Sequence, residues 1–149
     1  LVWDSGFPGM KVLQFAFDSR DTGSARDYLP HNYTENAVVY TGTHDNDTTI
    51  GWFEAISDDD WNLAREYLCD FYTPDEEMNR PFVALAMQSA ARMCIIPMQD
   101  HLGLGTEARM NTPSTIGCNW RWRMTGNQFT EDLCRDILAQ TRRYGRTEK

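Results

Sequence analysis

The sequence predicts a parallel α/β fold. Three observations carry that reading: runs that are apolar on both alternating faces, helical segments between the later runs, and polar residues gathered where each run ends. Strands covered on both faces read as near-continuous apolar runs, and parallel strands need long connections that usually hold helices. At 149 residues the chain has the size of one ordinary domain. With 41% apolar and 12% aromatic residues it can bury a core, which excludes wholesale disorder.

Met10 to Phe17 (MKVLQFAF) is the first predicted strand, with Gly6, Pro8 and Gly9 punctuating its start. Residues 18–36 hold Pro30 and many polar turn residues with no helical period, so a long loop follows. Ala37 to Thr41 is the second strand, and it runs straight into Gly42-Thr43-His44-Asp45-Asn46-Asp47-Thr48-Thr49. Ser57 before Asp58, Asp59 and Asp60 is an N-cap with a solvated acidic first turn, and Trp61, Ala64 and Leu68 recur at helical spacing. A helix over about 58–72 is predicted. Pro81 opens another, through Phe82 to Arg92, and Met93 to Met98 is the third strand, ending in Gln99-Asp100. Residues 101–128, rich in Gly, Thr, Asn and Trp, should be irregular. Thr130, Glu131 and Asp132 then start a final helix with Leu133, Ile137 and Leu138 inward, and Arg142 and Arg143 near its end before Gly145.

Fourteen basic against 22 acidic residues give a net charge of −8, which argues against a nucleic-acid or anionic-membrane partner. Cysteines at 69, 94, 118 and 134 form no C-x-x-C pair, and no histidine or cysteine spacing supports a metal. Free thiols in a reducing compartment are expected. No apolar stretch approaches the roughly 20 residues of a membrane helix, so a soluble, cytoplasmic protein is expected.

In parallel α/β folds ligands bind at the carboxyl ends of strands, which makes His44-Asp45-Asn46-Asp47 the most chemically loaded segment. A carboxylate there, beside a histidine, can stabilise a developing cation, act as a nucleophile or bind a metal. The same residues can equally form a turn that bonds its own backbone. Asp45-x-Asp47-x-Thr49 also matches the D-x-D-x-T pattern of haloacid-dehalogenase-like phosphatases. That chemistry needs a downstream lysine, whereas Lys11 lies upstream and Lys149 is the last residue; Gly42 and Thr43 also interrupt the apolar run.

Six collinear stretches carry a more specific signal: Gly6 to Phe17, Tyr28 to Tyr33, Tyr40 to Thr49, Gln99 to Gly105, Glu107 to Pro113 and Asn119 to Arg123. Together they resemble 4-alpha-glucanotransferases of the amylomaltase or disproportionating-enzyme family. The resemblance implies an α/β segment forming the C-terminal portion of a (β/α)8 barrel, with the three predicted strands as barrel strands six to eight followed by closing helices. Residues 1–149 would then be a single segment of an incomplete barrel, since such barrels need about 250 residues.

The implied activity is transfer of α-1,4-glucan segments between maltooligosaccharides by retaining double displacement, with no cofactor. The family's nucleophile and acid/base would fall before Leu1, so the isolated chain should be inactive. Asp45 would be the third, transition-state-stabilising carboxylate, with His44 and Asn111 as sugar contacts. A non-catalytic α-glucan-binding module is the alternative. Trp52, Trp120 and Trp122 can stack on sugars or pack as ordinary aromatics; His31 and His101 read as structural, and Arg109 as a loop tie. Three strands of an open barrel would leave Val12, Phe15, Val38 and Ile95 without partners, so self-association is expected.

Overall fold

The computed structural model describes residues 5–147, and Leu1 and Lys149 lie outside them. Three strands, β1 (Gly9–Val12), β2 (Ala37–Tyr40) and β3 (Met93–Ile95), form one sheet in the order β1-β2-β3. Both pairings are parallel, and Val12, Tyr40 and Ile95 sit level across the sheet. The predicted α/β class and strand order hold.

Among the described residues five α-helices accompany the sheet: α1 (Thr49–Ala55), α2 (Asp58–Leu68), α3 (Asn79–Gln88), α4 (Met98–Leu102) and α5 (Glu131–Arg143). The Ser57 hydroxyl caps α2 by accepting from the Asp60 N–H at 3.2 Å, and Cys69 closes it in the left-handed region at φ 53°. Asp60 itself is buried and accepts the Ser19 N–H at 2.7 Å, so only part of that acidic turn is solvated.

The strands are shorter than the apolar runs suggest. After Val12 the chain tightens into a 3-10 segment (Leu13–Ala16), whose three-residue period buries Leu13 and Ala16 on one side. β3 stops because Pro97 has no N–H for a ladder and instead precedes the first turn of α4. Helix α1 has no clear signal in the sequence, being seven residues with Gly51 in its first turn.

One sheet face is sealed. Ala37 and Val39 pack there with Phe17, Phe53 and Phe82, whose rings meet at 5.6 Å (Phe17–Phe82) and 6.1 Å (Phe53–Phe82). Behind this cluster Arg65 is 2% exposed, its guanidinium 4.7 Å from the Trp61 ring and 5.2 Å from that of Phe53. It donates to the Asp70 carbonyl at 3.1 Å and pairs with Asp75.

The other face is uncovered: Met10 is 57%, Met93 55% and Ile95 41% exposed, with Phe15 exposed beyond the end of β1. Val12, expected to be bare, is buried where β1 turns into the 3-10 segment.

Helix α5 touches α3 and α4 but buries no residue, and Leu138 lies off the contact stripe. Its end is held by Arg146, which donates to the carbonyls of Met87, Ser89 and Ala91 at 2.7–3.0 Å. No helix among the described residues is long and apolar enough to cross a membrane.

Replacing Arg65 with alanine removes both ring contacts and leaves Asp75 without its cation. Urea unfolding should show a loss of about 2–3 kcal/mol; an unchanged midpoint would refute the bracing role.

Candidate functional site

The chain leaves all three strands at the same sheet edge, and the polar residues collect there. The first exit carries Gln14, the second is the loop 42–48 between β2 and α1, and the third is Pro97 leading into α4. A later loop, 103–120, folds back over the second exit. Between them opens a cavity of about 480 Å3, lined among others by Tyr40, His44, Asp47, Ile95, Asp100 and Arg109. Its floor is the upper part of the uncovered sheet face.

The loop 42–48 is shaped by its own side chains. Asn46 Oδ1 accepts from the Thr43 N–H at 2.9 Å and the Thr43 hydroxyl at 2.8 Å, while Asp47 Oδ1 accepts the Thr48 N–H at 2.8 Å. These are the turn-forming bonds. The Asp45 carboxylate takes no part in them, because its Oδ1 accepts from Asn111 Nδ2 at 2.6 Å and lies 3.3 Å from His44 Nε2. Among the described residues Oδ2 of Asp45 takes no protein hydrogen bond, and the side chain is 51% exposed. The three residues singled out from the sequence, Asp45, His44 and Asn111, are thus brought together.

Two loops meet at that point, joined by one backbone bond and several side-chain contacts. The Asn111 N–H donates to the His44 carbonyl at 3.0 Å. Arg109 donates from Nη2 to the Asp45 carbonyl at 2.8 Å and from Nε to the Asn111 carbonyl at 3.0 Å, with Nη1 3.8 Å from Asp47 Oδ2. The Thr106 hydroxyl donates to the same Asp47 oxygen at 2.9 Å, and Gln14 Nε2 donates to the Asp47 carbonyl at 2.9 Å. Arg109 was legible as a loop tie through its charge, but its carbonyl contacts have no sequence signal.

Trp120 completes the rim. Its ring lies 5.0 Å from that of His44, its backbone N–H donates to the Met110 carbonyl at 2.7 Å, and its backbone sits at φ 64°, a left-handed conformation uncommon for a bulky residue. Trp52 instead packs against Phe17, Phe53 and Phe82. His31 stacks on Tyr67 and shares a 3.0 Å hydrogen bond with its hydroxyl, a structural place. His101 is lowered in pKa by burial.

Behind the site lies a buried carboxyl, Asp100. It accepts the Thr41 hydroxyl at 2.5 Å and the Thr49 N–H at 2.8 Å. Burial outweighs those donors and raises its pKa above the ordinary carboxylate value.

The D-x-D-x-T reading finds little here. Asp47, which would have to serve as a free acid, is occupied by Thr48 and Thr106, and Lys11 Nζ donates to the Asp27 carbonyl at 2.7 Å.

A parallel α/β sheet whose strand-end loops bring an exposed carboxylate, a histidine and an asparagine together belongs to the broad class of α/β proteins that bind or transform ligands at the carboxyl edge. Comparison narrows the class. A family model described as 4-alpha-glucanotransferase matches residues 1–130, and the chain belongs to that family. A 4-alpha-glucanotransferase of Clostridium butyricum is 48% identical over 145 residues, covering 97% of this chain and 29% of its own length. One from Synechocystis is 49% identical over 142 residues, covering 94% and 27%. The amylomaltase of Streptococcus agalactiae, solved in complex with acarbose, superposes with a TM-score of 0.88 at 35% identity, over 99% of this chain and 29% of that one. The chain therefore spans less than a third of the length of these relatives.

Two substitutions probe this arrangement. A Cβ at Gly51 would lie 2.3 Å from Thr106 Oγ1 and 2.8 Å from Asp47 Oδ1. Gly51→Ala should therefore separate the Thr106–Asp47 pair and cost about 2 kcal/mol in a urea titration; wild-type stability would contradict the packing. For Asp100, the raised folded pKa means its neutral form favours folding below the unfolded pKa, a contribution lost as pH rises through the folded pKa. Asp100→Asn cannot ionise, so its melting temperature relative to wild type should climb as pH rises above the ordinary carboxylate pKa of about 4. A constant difference would show that Asp100 ionises normally.

Proposed function

We propose that this chain is a segment of a 4-alpha-glucanotransferase that contributes the third catalytic carboxylate, Asp45, and part of an α-1,4-glucan site. In this reading β1, β2 and β3 are strands six to eight of a (β/α)8 barrel, residues 1–149 form one incomplete barrel segment, and the uncovered sheet face belongs to the barrel interior. The observation that carries it is the state of Asp45: Oδ1 accepts from Asn111 and lies beside His44 Nε2, Oδ2 takes no protein hydrogen bond among the described residues, and the side chain is half-exposed.

That arrangement suits retaining glycosyl transfer. The reaction passes twice through an oxocarbenium-like transition state, with nucleophile and acid/base roughly 5 Å apart. A further carboxylate beside the ring can bind the hydroxyls next to the reacting carbon and favour the distorted geometry over the relaxed one. Asp45 Oδ2 takes that role; His44 donates to a neighbouring hydroxyl, and Asn111, besides holding Asp45, offers its amide to the sugar. Fixing Asp45 through Asn111 and Arg109 means little reorganisation accompanies charge development.

Nucleophile and acid/base are assigned to no residue of this chain, so binding without turnover is expected. Titration with maltotriose, followed by tryptophan fluorescence through Trp120, should saturate. Asp45→Ala should weaken binding about tenfold or more, a loss of about 1.4 kcal/mol. No other maltooligosaccharides should accumulate from maltotriose with the pure chain; their appearance would overturn the assignment of inactivity. Absence of any saturable binding would overturn the glucan site itself.

The uncovered face has its own expected outcome. Light scattering should show self-association that is reduced by Met93→Lys, and a stable monomer would count against an unpartnered barrel interior.

A further inference from the structure

We propose that Gln99 and Asp100 are positioning residues: from adjacent places on α4 they set the relative placement of the two loops that meet at Asp45. The inference rests on the glucan-site reading and deepens it, since neither residue bonds to Asp45, His44 or Asn111.

Asp100 is 1% exposed, and its two oxygens serve two separate donors. Oδ2 accepts the hydroxyl of Thr41, the residue after β2, and Oδ1 accepts the N–H of Thr49, the first residue of α1. One carboxyl therefore grips both ends of the loop 42–48. Gln99, 7% exposed, donates from Nε2 to the Ala108 carbonyl at 3.1 Å, just ahead of Arg109 and Asn111 on the second loop. Asn79 Nδ2 donates to the Asp100 carbonyl at 2.7 Å and fixes α4 to α3. Both loops are thereby referred to one short, buried helix. A buried carboxyl is a costly filler compared with an apolar side chain of similar volume. What it supplies is direction, because two bonds hold two chain segments at a set separation.

The His44–Trp120 ring pair reports that separation directly. His44 belongs to the first loop and Trp120 is bonded to the second, through the Met110 carbonyl. In NMR spectra the His44 imidazole resonances should be displaced by the Trp120 ring current, which Trp120→Leu assigns. His31, stacked on Tyr67 at 5.8 Å, is an internal control for the fold.

The expected result is that Thr41→Val and Gln99→Ala each abolish the His44 displacement while the His31 signals stay in place, and that maltotriose affinity falls about tenfold. Asp100→Asn should retain the displacement, since its amide can accept from the Thr49 N–H and donate to the Thr41 oxygen. Asp100→Ala should lose it; if that protein fails to fold, both His31 and His44 signals collapse and Thr41→Val decides. Unchanged His44 resonances in Thr41→Val and Gln99→Ala would overturn the proposal, as would Asp100→Asn losing the displacement in full with His31 unmoved. A wild-type chain that does not bind maltotriose removes the glucan reading, yet the His44 resonances still decide the positioning role.

Discussion

The site depends on one constraint, that three parallel strands release the chain at the same edge. With Val12, Tyr40 and Ile95 level across the ladder, the three exits start within a strand spacing or two of each other. Side chains from one exit can then bond to the chain leaving the next, as Gln14 does to Asp47 and Asp100 does to Thr41 and Thr49. An antiparallel meander would send alternate connections to opposite edges and disperse these groups. Strands of three or four residues suffice because the helix side supplies the burial, through aromatic rings packed behind Ala37 and Val39.

The sheet has opposite characters on its two faces. Behind it the chain is closed by α1, α2 and α3 and braced by a nearly inaccessible arginine between two rings. In front, Met10, Tyr40 and Ile95 border the cavity, and no helix among the described residues is layered over them. The polar machinery stands at the edge between these faces, where a carboxylate can be anchored from behind and still reach solvent. That position accounts for Asp45, held by one oxygen and half-exposed, and for Asp100, only a loop away and fully enclosed.

Much of this was legible in the residues. The apolar run of β2 and the cap of α2 fall where local chemistry places them, and the polar segment after β2 marked His44 and Asp45 because carboxyl-edge chemistry is a property of parallel sheets. Asn111 was reached through resemblance alone; nothing in its local sequence separates it from other loop asparagines. The short helices α1 and α4 escaped notice because tertiary packing, rather than propensity, stabilises them. The early end of β1 was hidden for a similar reason, since a 3-10 turn and a strand can bury the same apolar run. Arg109 and Gln99 act on backbone carbonyls, which every residue possesses, so their partners leave no pattern to read. Asp60 read as solvated because an acidic cap ordinarily is; the Ser19 amide that covers it is 41 residues away.

Helix α5 obeys different rules. It buries no side chain, and its far end is held chiefly by the guanidinium of Arg146 on three carbonyls at the end of α3 and the turn beyond. Backbone carbonyls survive substitution in the residues that own them, so this end attachment tolerates drift in α3 while resting on a single arginine. Around Asp45 the reverse holds: Asn111 with Asp45, Thr106 with Asp47 and Thr43 with Asn46 bond side chain to side chain, so each contact depends on the identity of two residues.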